Sequence, residues 1–318
     1  MGKVLVTGAA GQIGSELVSA LRDKHGGKNV VATDLVVKSV EGMLSTGPSE
    51  EVDVTEIRKL REVITNFDIS TIYHLAAILS AAGEKNPQAA WEVNMKGLQN
   101  ILDLSRELNI ERVFWPSSIA VFGAGAPRVK TPQDACMIPS TIYGITKVTG
   151  EMYCNYYHER YGVDVRSIRY PGIISSKVPP RGGTTDYAVE MFYYAVEGKP
   201  YKCFVRSETV LPMMYMPDAI RATLMLMDAP KEKVASHMGF NVAGLSFSAG
   251  ELALEIKKNS PSFTCEYVPD FRQKIADSWP MTLDDSVARS SWGWAPRYDL
   301  ASMTRDMIEQ LTKRLKGS

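Results

Sequence analysis

The first 175 residues alternate between short apolar runs and longer segments whose apolar side chains follow helical spacing. Residues 4–7 form such a run, and Ile13, Leu17 and Leu21 then lie on one face of a predicted helix. Short apolar runs are typical of strands buried on both faces of a sheet. The repeated order of strand and helix predicts an α/β fold with a doubly wound parallel sheet. The predicted strands cover residues 4–7, 29–34, 52–54, 70–77, 112–118 and 163–170.

The pattern loosens in the last part of the chain. Strand-like runs at 209–215, 239–242 and 263–268 alternate with helical segments, and the chain is mostly helical from residue 284. Because no repeat, low-complexity tract or long linker divides the sequence, we expect these later pieces to interleave with the first domain.

Composition excludes several classes of partner. The chain has 318 residues, 36 Lys and Arg against 36 Asp and Glu, and hence no basic excess for nucleic acid. Its first residues enter a strand without a signal segment, and no apolar run reaches the roughly 18 residues that span a bilayer. We expect a cytoplasmic protein with no membrane partner. The four cysteines lack C-x-x-C spacing, so neither a metal site nor a disulfide framework is predicted.

A glycine-rich turn joins the first strand to the first helix. Its spacing is G-x-x-G-x-x-G, and glycines at such a turn let the backbone approach a pyrophosphate at the helix N-terminus. Asp34 ends the second strand, 20 residues after Gly14, where a carboxylate would bind the adenine ribose hydroxyls and repel a 2′-phosphate. The sequence therefore predicts NAD, rather than NADP, as cofactor. The turn supplies the candidates Gly8, Gly11, Gln12, Ile13 and Gly14.

Further candidates lie at predicted strand ends, where ligands bind in open parallel sheets. Asp53 and its neighbour Val54 lie at the end of the third predicted strand, and Asp53 either faces the adenine amine or is an exposed loop residue. His74 is interpreted as a packed histidine rather than as a base. Ser80, in the predicted loop 79–87, is either a substrate contact or a loop serine without a role. The fourth strand ends in the cofactor candidates Leu75, Ala76 and Ala77.

The candidate chemistry depends on one tyrosine. Tyr143 is the only one of fourteen tyrosines with a lysine four residues later, and positions i and i+4 share a helix face. A nearby Lys147 ammonium favours the phenolate and lowers the tyrosine pKa. Tyr143 is therefore predicted to be the general base of an alcohol oxidation, with Ser118 fixing the substrate oxygen and Lys147 holding the nicotinamide ribose.

Together these residues resemble the extended short-chain dehydrogenase/reductases over the whole chain. The resemblance also includes His74-Leu75-Ala76-Ala77, Asn94 and Trp292-Gly293-Trp294-Ala295-Pro296. It implies an NAD-binding Rossmann domain over 1–175, to which parts of 205–245 return, and a smaller, discontinuous α/β substrate domain over 176–318. It also implies cofactor roles for Asn94, whose backbone helps a water relay reach the lysine, and for Tyr170, together with a homodimer formed through helices at about 88–108 and 141–161.

Three later strings are similar to the short-chain type of L-threonine 3-dehydrogenase: 169–175, 182–189 and 211–215. The similarity implies NAD-dependent oxidation of L-threonine to 2-amino-3-ketobutyrate. Thr184 and Thr185, with Ser80, offer hydroxyls for the amino acid, and Trp279 either closes on its methyl group or packs beside Pro280. Arg181 either pairs with the carboxylate or faces solvent. The alternatives are an NAD-dependent nucleotide-sugar epimerase or dehydratase and a non-catalytic NAD-binding sensor protein.

Overall fold

The computed structural model describes residues 2–36, 45–180, 183–234 and 236–317. The chain divides into two compact units, each assembled from separate stretches of sequence. The first unit comprises Met1–Ser118, Ile142–Arg169 and Ile220–Phe240. The second comprises Ile119–Thr141, Tyr170–Ala219 and Asn241–Ser318.

A six-stranded sheet organises the first unit. Its order is β3-β2-β1-β4-β5-β7, and every pairing between neighbouring strands is parallel. The register sets Thr7 beside both Thr33 and His74, so the carboxyl ends of the three central strands meet at one edge. The strands are β1 (Lys3–Thr7), β2 (Val30–Asp34), β3 (Ser49–Glu51), β4 (Ile69–His74), β5 (Arg112–Phe114) and β7 (Val165–Arg166).

The helices of the first unit cover this sheet and bury its apolar residues. In the core cluster between helices and sheet, Leu5, Ile72, Leu98 and Val113 are fully shielded from solvent. Such burial is the main favourable term in folding. The helices are α1 (Gln12–His25), α2 (Ile57–Asn66), α3 (Ser80–Lys85), α4 (Pro87–Trp91), α5 (Gly97–Glu107) and α6 (Ile142–Tyr161), with α8 (Met216–Asp228) shared with the second unit.

Several predicted elements differ in detail from the structure, among them the strand end predicted at 52–54, which follows β3, and the predicted strand 112–118, which is divided into β5 and β6 (Ser117–Ser118). The predicted helix at about 88–108 is divided, because a π-helical turn, Glu92–Lys96, separates α4 from α5. The predicted loop 79–87 contains α3. The sixth predicted strand is two short ones, since β8 (Ile168–Tyr170) leaves the main sheet and joins β6 (Ser117–Ser118) and β12 (Phe240–Asn241) in the order β12-β8-β6.

The second unit contains two small sheets. β11 (Val210–Tyr215) pairs parallel with β9 (Gly172–Ile174) and antiparallel with β13 (Leu245–Ser248). β10 (Tyr201–Cys203) pairs parallel with β14 (Cys265–Tyr267). The helices of the second unit are α7 (Tyr187–Glu197), α9 (Ala249–Asn259), α10 (Arg272–Ser278), α11 (Ser286–Trp292) and α12 (Leu300–Lys316). Within the described ranges of both units, no helix has the length and apolar character needed to cross a membrane.

Candidate active site

The glycine turn after β1 is built by close backbone contacts. Gly8 adopts a φ of +69°, and a Cβ there would lie 2.6 Å from the Ala76 nitrogen. A Cβ on Gly14 would lie 2.1 Å from the Gly8 carbonyl oxygen. Gly11 is the N-cap of α1 and supplies no capping side chain, and no acidic residue occupies the first helical turn. This end of α1 therefore fits an anionic pyrophosphate through its N–H groups and dipole.

Asp34 at the end of β2 lies directly beside this turn. Its Oδ2 accepts a hydrogen bond from the Ala10 N–H at 2.9 Å, and its Oδ1 accepts one from the Leu35 N–H at 2.8 Å. A carboxylate has about four acceptor positions, so both oxygens can still accept from ribose hydroxyls. The negative charge next to the turn fits NAD and disfavours a 2′-phosphate.

The remaining cofactor candidates of the first unit lie near the same sheet edge. Asp53 follows β3 and accepts from the N–H and the hydroxyl of Thr55, at 2.8 and 2.7 Å, so part of its acceptor capacity is used in a local turn. Val54 is buried. Leu75 donates its N–H to the Thr7 carbonyl at 3.0 Å. The segment 75–77 thus packs against the glycine turn.

The structure brings Ser118, Tyr143 and Lys147 together in the first unit. Tyr143 and Lys147 lie one turn apart on α6, with the Lys147 Nζ 5.4 Å from the centre of the phenol ring. Tyr143 and Ser118 are hydrogen-bonded. Nζ donates to the Pro116 carbonyl at 2.6 Å and lies 4.4 Å from the centre of the Trp115 ring. The strand-end segment 115–118 therefore faces the catalytic side of α6.

Burial shifts the proton affinities of both residues. It raises the pKa of Tyr143 to about 12, while the hydrogen bond with Ser118 acts in the opposite direction. Burial also lowers the pKa of Lys147 to about 7, although the Glu151 carboxylate raises it. An ammonium 5.4 Å from the centre of the phenol ring favours the charged phenolate form of Tyr143. The arrangement can accept a proton from an alcohol.

Asn94 and His74 form buried hydrogen bonds in the region around Lys147. In the π-helical turn, the Asn94 side chain donates to the Ile78 carbonyl and to the Thr146 hydroxyl, both at 3.1 Å, and accepts the Ile78 N–H at 2.8 Å. The buried His74 ring bonds the Thr7 hydroxyl through Nδ1 at 2.7 Å. Burial and the Lys147 charge lower the pKa of His74 to about 3, so the neutral ring is a weak proton acceptor.

The other candidates are distributed between the units. Ser80 is buried at the start of α3 in the first unit. Thr184 is buried in the second unit, and among the described residues its hydroxyl has no hydrogen-bond partner. Thr185 packs against Gly172, where a Cβ would lie 2.7 Å from its methyl group. Trp279 is buried, and its carbonyl accepts from the Arg128 Nε at 3.1 Å.

Tyr170 ends β8, is buried and belongs to the second unit. Arg181 and Gly182 lie outside the described residues. Across the ranges that the structure describes, no group of three or more His, Cys, Asp or Glu side chains is placed to bind a metal ion.

Sequence reasoning missed Glu151, one turn beyond Lys147 on α6. Its carboxylate is fully buried and forms a bidentate ion pair with Arg169, with N–O distances of 2.8 and 2.9 Å. Its Oε1 also accepts the Ser117 hydroxyl. Breaking a buried pair of this kind by removing one partner costs about 3–5 kcal/mol. The only signal in the sequence was the four-residue spacing of positions 143, 147 and 151.

Known proteins resemble the chain over its full length. A model of the NAD dependent epimerase/dehydratase family matches residues 4–243. An uncharacterized epimerase/dehydratase of Staphylococcus aureus (strain USA300) is 44% identical over 315 residues, which are 99% of this chain and 98% of the relative.

Two solved structures are also similar. The holo form of a GalE-like L-threonine dehydrogenase from Cupriavidus necator is 50% identical, with a TM-score of 0.95 over 97% of this chain and 99% of that one. The apo form of a monomeric L-threonine 3-dehydrogenase from a metagenome is 49% identical, with a TM-score of 0.94 over 98% of this chain and 99% of that one. These similarities confirm the predicted fold class and, with the family model, NAD as cofactor. The chain is therefore a member of the NAD dependent epimerase/dehydratase family.

Proposed function

We propose that this protein is an NAD-dependent L-threonine 3-dehydrogenase that oxidises the secondary alcohol of threonine to the ketone of 2-amino-3-ketobutyrate. The observation that carries the chemistry is the contact of Tyr143 with Ser118 and Lys147. The substrate is supported by similarity to two solved threonine dehydrogenases at 49–50% identity over nearly the whole chain.

In the proposed reaction, Ser118 binds the substrate hydroxyl and Tyr143 takes its proton. The phenolate oxygen receives the proton, the O–H electron pair forms the C=O bond, and the hydride leaves C3. NAD, when bound, accepts that hydride and becomes NADH. Lys147 lowers the cost of forming the phenolate, because its ammonium lies one helical turn away. The Pro116 carbonyl and Trp115 ring hold this ammonium in place.

In this proposal, the two domains predicted from the sequence bind the cofactor and the substrate, respectively. Residues 1–175, with parts of 205–245, would bind the cofactor, and 176–318 would mainly bind the substrate. Thr184 and Thr185 would contact the threonine carboxylate or ammonium. Among the described residues the buried Thr184 hydroxyl has no hydrogen-bond partner, which favours a polar ligand there. Trp279 and Ser80 are the further candidates.

The direct test is to incubate the protein with NAD and L-threonine and to record NADH absorbance. Growth of the NADH signal supports the proposal. No signal, together with conversion of a UDP-sugar, would favour the alternative of a nucleotide-sugar epimerase or dehydratase. NAD binding without either reaction would favour a non-catalytic sensor.

The Asp34 carboxylate gives a second test, of cofactor choice. We expect threonine oxidation with NAD to exceed that with NADP, because a 2′-phosphate would meet the carboxylate beside the Ala10 N–H. Asp34→Ser should lower the ratio of kcat/KM with NAD to kcat/KM with NADP. Equal use of both by the unaltered protein would contradict the assignment.

A homodimer formed through α6 and the segment 88–108 remains part of the proposal. Its support is the exposure of large apolar side chains on these elements: Trp91, Ile145, Met152, Tyr156 and Tyr161. Contiguous exposed apolar surface marks interaction sites. The cytoplasmic location predicted from the sequence also remains a prediction.

A further inference from the structure

The inner face of α6 contacts three consecutive residues at the end of the strand region. Tyr143 bonds Ser118, Lys147 donates to the Pro116 carbonyl, and Glu151 accepts from the Ser117 hydroxyl. Residues 143, 147 and 151 are one turn apart, so the helix and the segment 116–118 are joined at three successive levels. The contact of Glu151 with Ser117 has no part in the proposed chemistry, although Glu151 is completely buried and Ser117 nearly so.

Arg169 closes this third level from the neighbouring strand β8. It approaches Glu151 with two nearly parallel hydrogen bonds, which fix both the distance and the orientation of the carboxylate. Gly239 packs over the pair. A Cβ at that position would lie 2.6 Å from Oε1 of Glu151 and 2.8 Å from Cγ of Arg169. The carboxylate therefore has one available position, in contact with Ser117.

We propose that Glu151 is a positioning residue for the proposed oxidation, which together with Arg169 and Ser117 fixes the register between α6 and the serine segment. The inference rests on the proposed function of Tyr143 and Ser118. A shift of α6 along that segment would separate the Tyr143 hydroxyl from Ser118 and the ammonium from the Pro116 carbonyl at once. Misplacement of about 1 Å can reduce a rate about 100-fold.

Glu151 has an electrostatic effect as well. The ionisable groups around the Lys147 ammonium are Tyr143, Glu151 and Cys154 on its own helix and His74 at the end of β4. Glu151 is the carboxylate among them, and it opposes the loss of the ammonium proton caused by burial. Without it, Lys147 would lose its charge at lower pH, and the Tyr143 phenolate would lose support.

The test compares two buried ion pairs of the same geometry in the first unit. Asp164 and Arg166 also form a bidentate pair, at 2.8 and 3.0 Å, but Arg166 otherwise holds main-chain carbonyls at Leu226 and Ala229. Glu151→Gln keeps the shape and the acceptor for Ser117, and Asp164→Asn is the matched control. The measurements are kcat per NAD-binding site, KM for NAD and the pH profile of kcat.

We expect Glu151→Gln to lower kcat about 10- to 100-fold, to leave KM for NAD unchanged and to move the acid limb of the profile to higher pH. Asp164→Asn should lower the melting temperature without changing kcat or the profile. Ser117→Ala, which keeps the ion pair, should lower kcat by a smaller factor and serves if Glu151→Gln does not fold. Wild-type kcat and profile in a folded Glu151→Gln or Ser117→Ala protein would overturn the inference, as would equal profile shifts in both ion-pair variants.

A substrate-free readout separates this inference from the proposed function. The ultraviolet difference titration between a protein and its Tyr143→Phe variant reports the pKa of Tyr143. We expect Glu151→Gln to raise that pKa and Asp164→Asn to leave it unchanged. If the unaltered protein does not oxidise threonine while this pattern holds, the proposed function fails, but the action of Glu151 on Tyr143 is supported independently of the substrate. An unchanged Tyr143 pKa in the folded Glu151→Gln protein contradicts the positioning role.

Discussion

The two faces of α6 reverse the usual distribution of polar and apolar side chains. The inner face buries Lys147 and Glu151, and the outer face exposes Ile145, Met152 and Tyr156. A helix on the surface of a globular protein normally has its apolar stripe inside and its charges outside. Burying charge is costly unless the group is paired, and exposing a row of large apolar groups favours association. The folding of one copy alone explains neither the charges buried on the inner face nor the apolar side chains exposed on the outer face. The inner face fits the proposed chemistry, and the outer face fits a second copy.

The largest effect should come from the inner face. Tyr143→Phe removes the proton acceptor while keeping the ring, so we expect kcat for threonine oxidation to fall about 10²- to 10⁴-fold. NAD affinity, measured by calorimetry, should change little. Unchanged turnover would show that Tyr143 is not the base. The inner face of α6 would then have no proposed role in the chemistry.

The pH dependence of kcat also tests the role of Tyr143 as the base. The base must be unprotonated, and burial raises the pKa of Tyr143. Activity should therefore be lost as pH falls, with kcat decreasing about tenfold per pH unit on the acid limb. Initial rates from about pH 6 to 10 measure this slope. A flat profile across this range would mean that another step or another group controls the rate.

A charge on the outer face should leave the chemistry intact. Met152→Glu places a carboxylate in the exposed apolar row, on the side of α6 opposite the site. We expect the proposed dimer to dissociate, as measured by light scattering after size exclusion, with kcat within about twofold of wild type. Leu254→Glu, at an exposed apolar position of α9 in the second unit, adds the same charge elsewhere on the surface and should not change the mass of the assembly.

Two outcomes would break the comparison. An unaltered protein that is monomeric would leave the exposed row of α6 without a proposed partner, as in the monomeric relative from the metagenome. Loss of activity together with dimer dissociation in Met152→Glu would show that the two faces depend on each other.

Much of the fold could be predicted from local sequence patterns, because those patterns are set by short-range physics. A strand, a glycine turn and a helix follow one another within residues 3–25, and the position of Asp34 is fixed by the length of one helix and one strand. Tyr143 and Lys147 share a face because four residues make about one turn. The division of the predicted helix at 88–108 was not predictable in this way, since the wide turn at Glu92–Lys96 accompanies contacts of Asn94 with distant residues.

The sequence by itself determined which residue types follow one another, and hence the α/β class, the cofactor turn and the tyrosine–lysine pair. Only the tertiary structure decided that Glu151 faces Ser117 and Arg169, which are 34 and 18 residues away. It also placed the inner face of α6 against the strand ends and left its outer face exposed. The physical reason is that pairing over long sequence separations, and the burial that makes such pairing necessary, arise only when the whole chain packs.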